Sequence, residues 1–141
     1  MTTSHKSLLA KEELRIIDAN LNRLNEGIRV VEDIFRYALN NKNIASELKK
    51  IRHNARIDTL YNDLLDSRDA DNDVLRATKK TELDRSHTKD ILIANFKRAQ
   101  EASRVLEELL KLVDGLVSEN FKQIRYELYS LEKKAMQDYL Q

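Results

Sequence analysis

The residues best equipped for chemistry are arginines, asparagines and carboxylates, and they occur twice in one order. The stretch DANLNRLNEGIRVVEDIFRY, from Asp18 to Tyr37, carries Asn20, Arg23, Glu26, Arg29 and Glu32. About 75 residues later, IANFKRAQEASRVLEELLK repeats the set as Asn95, Arg98, Glu101, Arg104 and Glu107. Both copies read A-N-x-x-R-x-x-E-x-x-R-V-x-E. Arginine forks bind phosphate bidentately. Carboxylates hold Mg²⁺, one or two sufficing where phosphates supply the remaining ligands. Groups that act as bases or nucleophiles near neutral pH are scarce. The histidines, His5, His53 and His87, lack metal-ligand spacing. Ser67, in Ser67-Arg68-Asp69, has no obvious histidine partner, which disfavours a triad hydrolase. Phosphoryl transfer suits such an inventory, because it needs little beyond positioning and charge neutralisation. A phosphate monoester acceptor, with a second pKa of about 6, is already an anion at pH 7 and needs no general base.

The elements that must position these groups are helices. At about 100° per residue, Ile16, Ile17, Leu24, Val31, Ile34 and Phe35 share one apolar face. Asn20 falls in the middle of that face, with Arg23 and Gly27 inside it or on its border. Glu26 lies just beyond, and Arg29 and Glu32 point away. In the second copy Asn95 and Arg98 lie among Ile91, Leu92, Ala99, Leu106 and Leu109. Burying an amide or guanidinium is costly unless it is paired. Two explanations fit a cost met twice: a site shared by the two helices, or an Asn-Arg-Glu network locking their register. A shared site predicts that Asn20 and Asn95 approach one another near a pseudo-two-fold axis.

Around these helices the chain reads as a four-helix bundle made of a duplicated αα-hairpin. The first helix is expected over about 11–39, after a disordered lead-in over 1–7. Asn43 is expected to cap the second, which carries Ile44, Leu48, Ile51 and Ala55 and runs to about Leu65. Residues 66–87, DSRDADNDVLRATKKTELDRSH, form a polar crossover loop with a helical turn near Glu82. Ser86 or Thr88 caps the third helix, which reaches about Val113 and ends on Gly115 as its C-terminal cap. Ser118 caps the fourth, whose stripe is Phe121, Ile124, Leu128, Leu131 and Ala135. The duplication reaches the second helix of each half, where Leu48-Lys49-Lys50-Ile51-Arg52 echoes Phe121-Lys122-Gln123-Ile124-Arg125. Arg52 and Arg125 sit at the margins of their stripes. There they could snorkel to the surface or reach a shared centre.

Composition narrows the function further. A length of 141 residues fits one domain, repeat one at about 11–65 and repeat two at about 88–140. There is no cysteine, which removes disulfides, thiolate metal sites and a Cys nucleophile. Proline is absent and the only glycines are Gly27 and Gly115, so neither a P-loop nor a G-x-G-x-x-G turn can form. Charged residues make up 35% of the chain, yet the net charge is +1, which argues against nucleic acid as a partner. No stretch resembles a signal peptide or a membrane span, and the expected location is the cytoplasm.

The run from Asp18 to Tyr37, LKKIRH at Leu48–His53, SRDADNDV at Ser67–Val74, ANFKRAQEASRVLEE at Ala94–Glu108 and IRYELYSLEK at Ile124–Lys133 resemble one family. It is the monofunctional hydroxymethylpyrimidine-phosphate kinase family of thiamine biosynthesis, whose members stand alone or are fused ahead of thiamine-phosphate synthase. The resemblance implies ATP-dependent phosphorylation of 4-amino-2-methyl-5-hydroxymethylpyrimidine phosphate to the diphosphate. The family pattern has Gly after Asp-Val, where this chain has Leu75. Chemistry placed on the matching positions assigns phosphate binding to Arg23, Arg98 and Arg68. Asn20, Asn95, Arg52, Arg125 and Ser67 would contact substrate. Glu26, Glu101 and Asp69 would hold Mg²⁺. ATP and the pyrimidine phosphate are the expected partners, with thiamine-phosphate synthase and a second copy of the chain as further ones. The alternatives are a Mg²⁺-dependent helical nucleotide hydrolase and a non-catalytic module partnering thiamine-phosphate synthase.

Overall fold

The computed structural model describes residues 9–78 and 85–141. The expected lead-in over 1–7 and the turn near Glu82 lie outside the described residues. Four long helices build the bundle: α1 (Lys11–Asp33), α2 (Lys42–Asn54), α4 (Thr88–Leu110) and α5 (Gly115–Tyr139). A short α3 (Tyr61–Ser67) follows α2. Apolar residues at helical spacing fill the centre, as binary patterning requires. From α1 come Leu24, Ile28 and Val31; from α4, Leu92, Phe96, Ala99 and Leu106. The expected stripe of α5, Phe121, Ile124, Leu128, Leu131 and Ala135, is buried throughout.

Side-chain pairs across the helices give their directions. Asn41 with Asp138 and Glu47 with Lys134 run α2 antiparallel to α5. Asn25 with Ala55 O and Glu32 with Arg52 do the same for α1 and α2, and Gln100 with Glu132 and Glu107 with Arg125 for α4 and α5. The two duplicated helices, α1 and α4, are therefore antiparallel, and their mutual contact is the most extensive in the molecule. They touch closely because position 27 is glycine. A Cβ there would lie 3.1 Å from the Asn95 carbonyl oxygen and 3.5 Å from Ala99 Cβ. In the repeat Gly27 corresponds to Ala102, which is likewise small and buried.

Several boundaries differ from the sequence expectation. The first hairpin turns through a π-helical segment, Ile34–Ala38, and Asn40 at φ 50°, a left-handed position that asparagine tolerates. Asn41, not Asn43, caps α2 by accepting from the Ile44 amide at 3.1 Å. That helix ends at Asn54 rather than near Leu65. Asn25 and Asn120 donate to the last carbonyls, Ala55 O and Asn54 O, and the chain turns so that Ile57, Leu60 and Leu64 face inward. His87 precedes α4 as its cap residue, and its amide donates to the Asp90 carboxylate at 3.2 Å, so neither Ser86 nor Thr88 caps. Gly115 opens α5 instead of closing α4, because Asp114 accepts from the Leu116 amide at 2.8 Å. Ser118 is not a cap either: it is buried and donates to Glu107 O at 2.7 Å.

Candidate functional site

The duplicated residues divide into those that hold the bundle together and those that border open space. Glu32 and Glu107, expected to point away, are among the most deeply buried charges, at 1% and 5% exposure. Arg52 grips Glu32 with Nε at 2.7 Å and Nη2 at 3.2 Å. Arg125 repeats the contact on Glu107 at 3.3 and 2.9 Å. Its guanidinium also lies over the Tyr126 and Tyr129 rings, 4.9 and 5.8 Å from their centroids. The Glu32 carboxylate holds the Arg52 pKa above its ordinary value. For Arg125, Tyr129 and then Glu107 do the same against the opposing effect of burial. These arginines reach no shared centre; each is committed to a buried ion pair inside its own half.

The two amides are similarly local. Asn20 donates to Ile16 O at 2.9 Å and Asn95 to Ile91 O at 2.8 Å, each one turn back on its own helix. Asn95 faces Gly27 across the α1–α4 contact. Asn20 lies seven residues before Gly27, about 10 Å along the helix axis, so the two amides do not converge. Arg23 and Arg98, expected within or beside the apolar face, are exposed, as are Glu26 and Glu101. Ile16, expected in the core, is 43% exposed.

What Ile16 and Arg23 border is a cleft of about 640 Å³ between the first half of α1 and residues 68–74. Its walls include Arg15, Asp18, Ala19 and Asn20 from the helix, and Arg68, Asp69, Asp73 and Val74 from the loop. The loop is tied to the helix at two points. Arg68 donates from Nε and Nη2 to both oxygens of buried Asp18, at 2.8 and 2.9 Å. Arg15 Nη2 donates to Asp69 O at 3.0 Å. The hydrogen bond to Asp18 holds the Arg68 pKa above its ordinary value. Further along, Leu75 donates its amide to Asp73 Oδ1 at 2.9 Å and its φ is not left-handed, so this turn does not need the family's glycine.

The cleft therefore brings together Asn20, Arg23, Arg68 and Asp69 of the residues singled out from the sequence, and leaves out the others. Ser67 is turned inward, buried and donating to Leu64 O at 2.7 Å. Of the three cleft arginines, Arg23 alone makes no hydrogen bond or ion pair among the described residues. Asn20 Oδ1 likewise accepts no bond there. Among the described residues no three His, Cys, Asp or Glu side chains gather to hold a metal. Asp69 and Asp73 at the cleft still match the one or two carboxylates that Mg²⁺ needs when phosphates complete its shell. A groove of about 690 Å³ between α2 and α5 is as roomy, but it is lined by lysines and glutamates and by none of the site residues singled out from the sequence. Sequence reasoning missed Arg15 and Asp18. Neither recurs in the second copy, and that difference was the available signal.

Comparison with known proteins bears on what such a cleft is for. The model of the ThiD2 family matches residues 15–134. The chain belongs to the ThiD2 family. Curated relatives of this family member include the thiamine-phosphate synthase of Synechocystis sp., 44% identical over 119 residues. That match covers 84% of this chain and 34% of the relative. The thiamine-phosphate synthase of Nostoc punctiforme is 39% identical over 135 residues, covering 94% of this chain and 38% of the relative. The chain thus spans little more than a third of the length of these relatives. No solved structure matches it. Family and relatives together tie the chain to thiamine biosynthesis. No described helix is long and apolar enough to cross a membrane.

Proposed function

We propose that the protein is a phosphotransferase of thiamine biosynthesis that converts 4-amino-2-methyl-5-hydroxymethylpyrimidine phosphate and ATP into the pyrimidine diphosphate and ADP. The observation that carries this reading is an unpaired Arg23 facing a cleft whose other arginines are already engaged. An oxygen of the acceptor phosphate attacks the γ-phosphorus, and the bond from that phosphorus to the β-bridging oxygen breaks, releasing ADP. The acceptor is already an anion, so the absence of a histidine from the cleft is no obstacle. Arg23 binds the acceptor phosphate, and Asn20 Oδ1 accepts from the pyrimidine amino group. Ile16, Ala19 and Val74 flank the ring. Mg²⁺, which Asp69 and Asp73 would hold, neutralises phosphate charge when bound.

The test is acceptor discrimination. A charge-assisted contact is worth about 1.5–3 kcal/mol, or about 10–150-fold. With ATP and Mg²⁺, kcat/KM for the pyrimidine monophosphate should exceed that for the free alcohol by at least about tenfold. Equal values would show that Arg23 does not read the acceptor phosphate. Release of inorganic phosphate without any acceptor would instead mark a nucleotide hydrolase.

A second reading is supported by the relatives, which carry the matching region within much longer thiamine-phosphate synthases. In it the chain is a non-catalytic module that partners such a synthase. Tight binding to the synthase, with no nucleotide binding in calorimetry, would favour it over the kinase.

A further inference from the structure

We infer that the duplicated chain carries one acceptor-phosphate site, in its first half, and that Asp18 is the residue that positions it. The inference rests on reading the cleft as the substrate site. The repeat maps Ala19, Asn20 and Arg23 onto Ala94, Asn95 and Arg98, unchanged. It maps Arg15, Asp18 and Asn22, all on the cleft wall, onto Asp90, Ile93 and Lys97. The copies therefore differ at the residues that build the cleft.

Each difference has a physical consequence. Asp18 is 6% exposed and gives both oxygens to Arg68, which fixes the start of the 68–74 loop against α1. Ile93 has no acceptor and cannot hold such a clamp. Arg15 holds the Asp69 carbonyl, whereas Asp90 carries the opposite charge and is engaged by the His87 amide. Asn22 donates to Asp18, at 3.4 Å, whereas Lys97 reaches across to Glu132 at 3.1 Å. Arg98 is thus an exposed arginine without the frame that surrounds Arg23. Asp18 need not touch the ligand, because it acts through Arg68 and the loop. A carboxylate clamp on one side only makes the site single, although the motif is double.

The experiment is calorimetry on the full chain with the pyrimidine monophosphate as probe. One equivalent should bind per chain. Arg23→Met should weaken binding by about 10–150-fold, while Arg98→Met, also at an exposed position, stays within about twofold of wild type. Asp18→Asn keeps the shape and removes the charge. It should raise Kd and KM about tenfold with kcat little changed, and should speed proteolysis within 68–74 while the unfolding temperature hardly moves. Two bound equivalents, equal losses from Arg23→Met and Arg98→Met, wild-type affinity in Asp18→Asn, or no binding by the wild type would each overturn the inference. Single-site binding with the expected variant pattern but no diphosphate formed from ATP would sink the kinase reading and leave this inference standing. Diphosphate formation with two equivalent sites would do the reverse.

Discussion

Arg23 is a cation at an open cleft with no anion of its own among the described residues, unlike Arg29, Arg52, Arg104 and Arg125, which the fold has paired. Because it is exposed, losing its charge removes no internal contact. Arg23→Met should leave the unfolding temperature within about 2 °C of wild type, since surface substitutions change stability by only about 0.5 kcal/mol, while ligand affinity falls as above. Arg52 is the opposite case. Among the described residues it is the sole partner of the Glu32 carboxylate, so Arg52→Met strands a buried charge and should cost about 3–5 kcal/mol in denaturant unfolding. Adding Glu32→Leu should restore most of that loss. Arg125→Met should cost less, because Arg104 Nη1 remains 3.6 Å from Glu107. At this scale the sequence pointed to the right residue types and partly to the wrong duty. The helical wheel put Glu32 outside because it counts only α1's own apolar face; the α2 arginine that draws it in comes 20 residues later. Asp18 escaped notice for the same reason: its partner is 50 residues away.

Between elements, the close approach of α1 and α4 depends on Gly27. Backbone stands opposite it, and backbone cannot swing aside as a long side chain can. Gly27→Val should push the helices apart and destabilise the protein by about 1–3 kcal/mol, measured by chemical denaturation. A gain in stability would show that α4 can shift to accommodate the branch. The four long helices were readable from apolar periodicity, because each buries one stripe. Their ends were less so. Capping depends on which short polar side chain meets the exposed amides, and the chain offers neighbouring candidates at each end: Asn40, Asn41 and Asn43, or Asp114 and Ser118. The break after Asn54 was invisible locally, since Asn25 and Asn120, which satisfy its carbonyls, come from other helices.

For the molecule as a whole, stability should be graded from the α1–α4 contact outward. Amides in the middle of α1 and α4 should exchange slowest with solvent, and those of 68–78, which are exposed and outside long helices, fastest. Hydrogen exchange read by mass spectrometry checks this. Saturating pyrimidine monophosphate should slow the 68–74 amides selectively; uniform slowing over both halves would argue against a single cleft. The four-helix architecture and its duplication were legible in the sequence, because repetition is a property of the string itself. That Asp18 and Arg15, which the second copy lacks, frame the cleft was not, because a repeat draws the eye to what the copies share.

The hairpin tips carry one more consequence. The buried Glu–Arg pair spans 20 residues in the first half and 18 in the second, yet it closes the same way in both. The two additional residues are taken up where the chain winds through Ile34–Ala38 and Asn40. That tip has absorbed a change in chain length without passing it on to the helices. It also lies more than ten residues, or over about 15 Å of helix, beyond Arg23. A fluorescent reporter or affinity tag spliced in at Asn40 would therefore ride on the far end of the bundle, able to report on the cleft without obstructing it.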